Sequence, residues 1–105
     1  MLVLQIDDIQ DIISKMGFTN LIQELVKTLE SDYSNWKEFD KTARVATHVE
    51  GGVIELMPIS NNEFYSFKYV NGHPKNTKEN KFTVMATGQL SQTSTGEPLL
   101  FSEMT

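Results

Sequence analysis

Apolar residues change their spacing once along this chain, and that change limits the folds open to it. As far as residue 41 they recur at helical spacing, as in Ile9, Ile12 and Ile13. From Ala43 onward apolar and polar residues alternate, which is the period of a β-strand. Helices followed by a run of short strands are typical of an α+β domain with antiparallel strand pairing. We therefore predict two N-terminal helices packed on a mainly antiparallel sheet, in one domain spanning residues 1–105.

The helical region carries recognisable start and stop signals. Asp7, followed three residues later by Gln10, is typical of a helix N-terminus, and Gly17 is a natural helix stop. A second helix is predicted to begin near Thr19 or Asn20. Its apolar stripe is expected to form core rather than a cofactor site. That stripe consists of Ile22, Leu25, Val26, Leu29, Tyr33 and Trp36.

The strand region is rich in β-branched and aromatic residues and is divided by turn residues. The predicted strands are Leu2–Ile6 at the N-terminus, then Ala43–Glu50, Gly52–Ile59, Glu63–Asn71, Phe82–Ser91 and Pro98–Ser102. Glu63–Asn71 has aromatic or aliphatic residues on both faces, so its sheet needs two covering layers. Two helices cover only one face well. We therefore expect a second copy of the chain to cover the other face, in a homodimer that pairs the two sheets.

The amino-acid composition excludes several classes of function. There is no cysteine, which rules out a disulfide scaffold and a cysteine nucleophile, and we expect no metal site. The net charge is −5 and there is no basic stripe, so nucleic acid and anionic membranes are unsuitable partners. No apolar run is long enough to span a membrane, and the N-terminus lacks a signal-peptide pattern. We expect a cytoplasmic protein.

Arg44 is the only arginine among the nine basic residues. On its predicted strand it shares a face with Ala46 and His48. It is flanked by Ala43 and Val45, which is not the usual pattern of a solvent-facing arginine. The planar guanidinium can hold a carboxylate or a phosphate through two parallel hydrogen bonds. Two interpretations are open: a site for an anionic ligand, or an edge-strand arginine paired with a nearby acid.

Lys68 and Glu55 are charged residues among apolar neighbours. Lys68 alternates with Phe64, Ser66 and Val70 on an aromatic strand, so we expect its ammonium to be partly desolvated. A desolvated charge is costly unless an anion meets it. Either Glu55 and Lys68 form a structural ion pair, or both join Arg44 in a polar pocket with excess positive charge. Such a pocket would suit an anionic small molecule.

Several segments of the chain resemble one family. Phe67–Asn76 (FKYVNGHPKN) looks like the signature of the ornithine cyclodeaminase and mu-crystallin family. The similarity continues in Phe39–Ala46 (FDKTARVA), Gly52–Pro58 (GVIELMP), Thr83–Ala86 (TVMA) and Thr95–Leu100 (TGEPLL). These segments occur in the family's order and at matching spacing. The similarity is closer to the bacterial ornithine cyclodeaminases than to the mu-crystallin branch.

The resemblance implies a reaction and a set of residues. Ornithine cyclodeaminases convert L-ornithine to L-proline and ammonia with tightly held NAD⁺, which takes a hydride from the substrate and later returns it. By position in the matching segments, Arg44 and Lys68 should hold the carboxylate of the amino acid. Thr83 should approach the cofactor. Glu55 lies where a catalytic residue could orient water or the substrate amine.

The resemblance also implies what this chain lacks. Family members continue beyond the position of Met104 and Thr105 into a helix with another substrate-binding arginine, then into a Rossmann domain that binds NAD. We therefore expect residues 1–105 to be the N-terminal substrate-binding and dimerisation domain, inactive and without NAD by itself. The alternatives are a stand-alone dimeric binding or scaffold domain without activity, and a family member that acts on another amino or imino acid.

Overall fold

A computed structural model describes residues 1–105, and its elements follow the predicted order. The helices are α1 (Ile6–Met16) and α2 (Phe18–Ser34), with short 3-10 helices at Trp36–Glu38 and Pro74–Glu79. The strands are β1 (Leu2–Leu4), β2 (Val45–Val49), β3 (Gly52–Ser60), β4 (Phe64–Gly72), β5 (Ala86–Gln92) and β6 (Pro98–Glu103). They form one sheet in the order β1-β6-β5-β4-β3-β2, in which only the β1–β6 pair is parallel. The predicted α+β class with a mainly antiparallel sheet is confirmed.

The two helices meet at a glycine. The backbone N–H of Gln5 donates to the Asp8 carboxylate over 2.8 Å, so α1 begins slightly before the predicted cap at Asp7. Gly17 has φ +79, a conformation that side-chain-bearing residues rarely adopt, and its N–H donates to the carbonyl of Ile13. Gly17 therefore ends α1 and sets the chain direction for α2. Neither helix is long and apolar enough to cross a membrane.

Strand β5 begins four residues later than predicted, at Ala86 rather than Phe82. The reason is a side chain at the end of β4. Asn71 Oδ1 accepts a hydrogen bond from the backbone N–H of Met85 over 2.6 Å, while the backbone N–H of Asn71 donates to the Met85 carbonyl. The regular ladder between β4 and β5 stops at the Val70–Ala86 pair, and residues 82–85 lie outside the strand.

The chain buries little of its apolar surface within itself. Its accessible surface is 8038 Å², whereas a compact protein of this mass exposes about 5,900 Å². Its radius of gyration is 15.8 Å, against about 13 Å for a compact domain of this length. Helix α1 contacts β1 and α2, but the α2 stripe is exposed, with Leu25 at 48% and Leu29 at 53%. The expectation that this stripe forms core is therefore not met within one chain.

The strand register divides the sheet into two faces. The lysine face carries Arg44, Glu55 and Lys68, and the cleft lined by Phe39 and Phe64 lies on the same side. The opposite, tyrosine face carries Val45, Leu56, Tyr65, Phe67 and Tyr69. Apolar side chains on the tyrosine face remain open to solvent: Val45 is 61%, Leu56 42% and Tyr65 41% exposed. The sheet is therefore apolar on a face that this chain does not cover.

Candidate functional site

Arg44 lies immediately before β2, at the edge of the sheet, and contacts Glu55 on β3. Its Nη1 donates to Glu55 Oε1 over 3.2 Å. The Arg44 side chain is 60% exposed and that of Glu55 21%. In this structure Arg44 therefore pairs with a nearby acid at a sheet edge, which is one of the two interpretations left open by the sequence. However, an arginine carries five N–H donors and this contact uses one, so the guanidinium retains donors for a second anion.

Lys68 lies at the centre of the sheet, on β4, and shares the lysine face with Glu55. The register pairs Lys68 with Met57 and Glu55 with Val70, so Lys68 and Glu55 are diagonal neighbours on adjacent strands. The ion pair between Glu55 and Lys68, one of the two alternatives, is absent, and Glu55 pairs with Arg44 instead. Lys68 is half-buried and forms no hydrogen bond or ion pair within the chain. Its ammonium is consequently free to meet an anion from outside the chain.

Thr83 lies in the irregular segment before β5, not on a strand as predicted. Its carbonyl accepts the backbone N–H of His73 over 2.8 Å, which ties the segment to the end of β4. Its hydroxyl forms no hydrogen bond within the chain and Thr83 is only half-buried. The hydroxyl is therefore available to a ligand, while no hydrogen bond joins Thr83 to Arg44, Glu55 or Lys68.

Two carboxyl groups outside this cluster have perturbed pKa values. The hydroxyl and backbone N–H of Thr105 hold the pKa of Glu103 below its usual range. A hydrogen bond and the charge of Lys81 lower the pKa of Glu79. Both shifts have local causes and neither involves Arg44, Glu55 or Lys68. No group of three His, Asp or Glu side chains is arranged to hold a metal ion.

One polar residue at the end of β4 was not predicted as part of a site. Asn71 is only 6% exposed, and its side chain bonds both to Met85 and to the ring of His73, at 2.8 Å. The available signal was an amide near the end of an aromatic strand, directly before Gly72 and a His-Pro pair. Hydrophobic alternation does not distinguish such a residue from an ordinary turn asparagine.

Comparison with known proteins identifies relatives of this chain. The model of the ornithine cyclodeaminase/mu-crystallin family matches residues 7–105. An ornithine cyclodeaminase of Agrobacterium fabrum is 47% identical over 102 residues, which are 97% of this chain and 29% of that enzyme. One from Brucella suis is 46% identical over 100 residues, 95% of this chain and 28% of the enzyme. The chain thus spans under a third of the length of the curated relatives it matches.

Solved structures share the fold. The Thermococcus litoralis Δ1-pyrroline-2-carboxylate reductase, in complex with NADH and L-proline, has a TM-score of 0.76 and 27% identity, covering 98% of this chain and 32% of that one. An archaeal alanine dehydrogenase dimer with bound NAD has a TM-score of 0.72 and 26% identity, with coverages of 98% and 31%. A lysine cyclodeaminase superposes with a TM-score of 0.88 at 17% identity, covering 98% and 32%, and supports the fold alone. Because the family model matches almost the whole chain, the chain belongs to the ornithine cyclodeaminase/mu-crystallin family.

Proposed function

We propose that this chain is the N-terminal, substrate-binding part of a longer NAD-dependent enzyme of the ornithine cyclodeaminase type. The observation that carries the proposal is the lysine face, where Arg44 and the unpaired Lys68 flank Glu55 on neighbouring strands. The 47% identity with an ornithine cyclodeaminase supports the reaction type. The relatives' additional length is where we expect the Rossmann domain.

Arg44 and Lys68 bind the carboxylate of the amino acid in this proposal. Each supplies a charge-assisted hydrogen bond, and the planar guanidinium matches the two carboxylate oxygens. The single 3.2 Å contact with Glu55 does not prevent this, because the Arg44 end is exposed and ion pairs at the surface contribute only about 0–1 kcal/mol. When the substrate carboxylate takes up the Arg44 donors, Glu55 is free to meet a substrate ammonium or to orient water. Two cations and one acid thus match the charges of a zwitterionic amino acid.

The reaction that we propose converts L-ornithine to L-proline and ammonia. NAD⁺ supplies the oxidation and later reduction of the α-carbon, so the overall conversion is redox-neutral. The side-chain amine closes the ring and the α-amine leaves as ammonia. This chain contributes substrate orientation: the lysine face fixes the carboxylate, and Glu55 limits how the amine can lie. Fixing both ends lowers the entropy cost of ring closure.

Thr83 is the residue of this chain that we assign to the cofactor. Its free hydroxyl and its position in a partly exposed segment fit a hydrogen bond to NAD. The chain contains no G-x-G-x-x-G loop, the usual cradle for a dinucleotide pyrophosphate. We therefore propose that the isolated chain is inactive and binds NAD⁺ only weakly. Calorimetric titration with NAD⁺ checks this, and a micromolar dissociation constant would contradict it.

The carboxylate assignment is tested with a ligand pair in the NAD-loaded, longer protein. L-Ornithine and L-ornithinamide differ only in the carboxylate, so their affinity ratio reports that group alone. The proposal predicts that Lys68→Met and Arg44→Met each reduce this ratio by about 10- to 150-fold, as expected for a bond to a charged group. An unchanged ratio in both variants, with normal folding, would refute the assignment.

A second candidate is a family member that acts on another amino or imino acid. The observation in its favour is that the reductase and the alanine dehydrogenase share this fold at 26–27% identity. Both carry out net redox reactions, whereas cyclodeamination leaves NAD unchanged overall. Net NADH formation or consumption with alanine or a cyclic imino acid would favour this candidate.

We also propose that two copies of the chain associate through their tyrosine faces. The surface of the chain exceeds that of a compact protein by about 2,000 Å². A specific interface needs about 800 Å² from each partner, so the excess surface of the whole chain is large enough to include one, and the exposed Val45, Leu56 and Tyr65 favour the tyrosine face. Light scattering at tens of micromolar should give twice 11.9 kDa. A monodisperse monomer would count against the homodimer and favour neither of the enzyme candidates.

The cytoplasmic location expected from the sequence remains a prediction.

A further inference from the structure

The side chain of Asn71 joins three segments at the end of β4. It is one of four buried residues in the chain. Its Oδ1 accepts the Met85 N–H over 2.6 Å, and its Nδ2 lies 2.8 Å from Nδ1 of His73. A backbone N–H can only donate, so the amide oxygen must face Met85 and the amide NH₂ must face the imidazole. The orientation of the Asn71 amide is thus fixed by its partners.

The ring of His73 is fixed in turn. Because Asn71 Nδ2 donates, Nδ1 of the imidazole accepts and the ring proton lies on Nε2. The ring lies against the backbone of Gly52 at the start of β3, where an added Cβ would come within 2.5 Å of His73 Cδ2 and 2.7 Å of the Gly72 carbonyl. The imidazole therefore fills a space that only glycine leaves open.

The backbone of His73 completes the arrangement. Its N–H donates to the carbonyl of Thr83 over 2.8 Å. Asn71 and His73, which together we call the amide–imidazole clip, thus connect the β2–β3 hairpin, the end of β4 and the segment 83–85. Lys68 lies on the same strand, three residues before Asn71, which is about 10 Å along an extended chain.

We propose that Asn71 and His73 are positioning residues that hold Thr83 at a set distance from Lys68. This inference rests on the proposed function, in which Thr83 contacts NAD and Lys68 binds the substrate carboxylate. A hydride can pass only if the cofactor and the α-carbon are held at contact distance. The clip fixes that separation within this chain, because it locks the segment with Thr83 to the strand with Lys68.

A second tether of the same loop provides a matched control. Asn76 Nδ2 donates to the carbonyl of Phe82 over 2.9 Å, one residue before Thr83. It does not involve the ring of His73. Loss of this bond in Asn76→Ala loosens the loop without breaking the clip. If any weakening of the loop has the same effect, the clip has no special role.

The first experiment examines the clip in the 105-residue chain, whatever its function. Long-range proton–nitrogen correlation at a pH where His73 is neutral should detect the proton on Nε2. Asn71→Asp retains an oxygen for Met85 but replaces the donor with an acceptor, so the proton should move to Nδ1 while the Met85 amide keeps its protection from exchange. Asn71→Ala should speed exchange of the Met85 amide about 2- to 13-fold, as expected for one neutral hydrogen bond. An Nδ1–H ring in the unmodified chain would refute the clip.

The second experiment is a double-mutant cycle in the longer protein, freed of NAD and then titrated with NAD⁺. Thr83→Ala should weaken NAD binding about 2- to 13-fold, the range for one hydrogen bond. Asn71→Ala and His73→Phe should weaken it by no more than that, and should add nothing when Thr83 is already alanine. Asn76→Ala should have a smaller effect, and none of the variants should change the ornithine-to-ornithinamide affinity ratio.

The outcomes separate the two claims. If Thr83→Ala leaves NAD binding unchanged, the cofactor role of Thr83 in the proposed function is wrong and the positioning role falls with it. If Thr83→Ala weakens binding but Asn71→Ala acts additively with it, the proposed function survives and the positioning role is refuted. Non-additive losses confined to the clip residues support it.

Discussion

Replacement of Lys68 by methionine should separate binding from folding more clearly than any other change on the lysine face. Methionine retains most of the aliphatic volume and removes only the ammonium. In the chain Lys68 has no hydrogen bond and no ion pair, so the substitution breaks no internal contact of that charge. We therefore expect the free energy of unfolding to change by less than about 0.5 kcal/mol, as for substitutions that disturb no specific interaction.

The effect on substrate binding should be much larger. A hydrogen bond to a charged group contributes about 1.5–3 kcal/mol, which corresponds to a rise in KM for L-ornithine of about 10- to 150-fold. A stability change of 0.5 kcal/mol shifts Tm by only about 2–4 °C in a domain of this size. The prediction is therefore a large change in KM with a small change in Tm.

The assay combines thermal melting of the 105-residue chain with steady-state kinetics of the longer protein. Lys15→Met is the control, because Lys15 is exposed in the last turn of α1 and forms no ion pair. It should leave both quantities unchanged. A fall in Tm of more than about 8 °C in Lys68→Met with an unchanged KM would show that the ammonium has a structural role, and the reasoning would be wrong.

Three further changes test other parts of the account. Glu55→Gln should lower kcat/KM for L-ornithine about tenfold or more, because it removes a charged contact with the substrate amine. The stability loss should not exceed about 1 kcal/mol, because the lost ion pair is with the exposed Arg44. Unchanged kinetics would show that Glu55 is only a partner of Arg44. Leu56→Lys adds a charge to the tyrosine face and should weaken self-association at least tenfold in sedimentation experiments. The control Thr95→Lys, in the exposed turn between β5 and β6, should leave self-association unchanged. Equal effects of the two substitutions would argue against an interface on the tyrosine face. The pKa of Glu103 is lower in the folded chain, so the carboxylate stabilises the fold above the unfolded pKa of about 4.3, and this stabilisation is lost as the pH falls through the folded pKa. Glu103→Gln should therefore flatten the dependence of Tm on pH in that acidic range. An unaltered slope would contradict the hydrogen bonds with Thr105.

Hydrophobic spacing predicted the elements well because it reports local periodicity. The order of helices and strands and the alternation within β4 follow directly from it. The start of one strand could not be obtained in this way. The start of β5 depends on the Asn71 side chain, which competes for a backbone N–H, and no periodic pattern records that competition.

The residues of the candidate site were named from the sequence, and their roles stay predictions; which acid would pair with which cation was left open. Arg44, Glu55 and Lys68 lie on one face, as their positions in alternating strands allow. Whether Glu55 pairs with Arg44 or with Lys68 depends on the register between strands. Turns and packing determine that register, whereas the spacing of residues within one strand does not. The apolar stripe of α2 was predicted to form core, and the spacing of its residues could not show that it is exposed in one chain. An apolar stripe predicts that something covers it, without indicating whether the cover belongs to the same chain.

The central claim is that this chain belongs to an enzyme that cyclises L-ornithine on the lysine face. The most direct measurement is a turnover assay of the longer protein, or of the Agrobacterium fabrum relative with its N-terminal region replaced by these 105 residues. With L-ornithine and NAD⁺, the account predicts equal amounts of L-proline and ammonia and no net NADH, with activity lost in Arg44→Met/Lys68→Met. Release of ammonia with stoichiometric NADH, or undiminished turnover in that double variant, would contradict it.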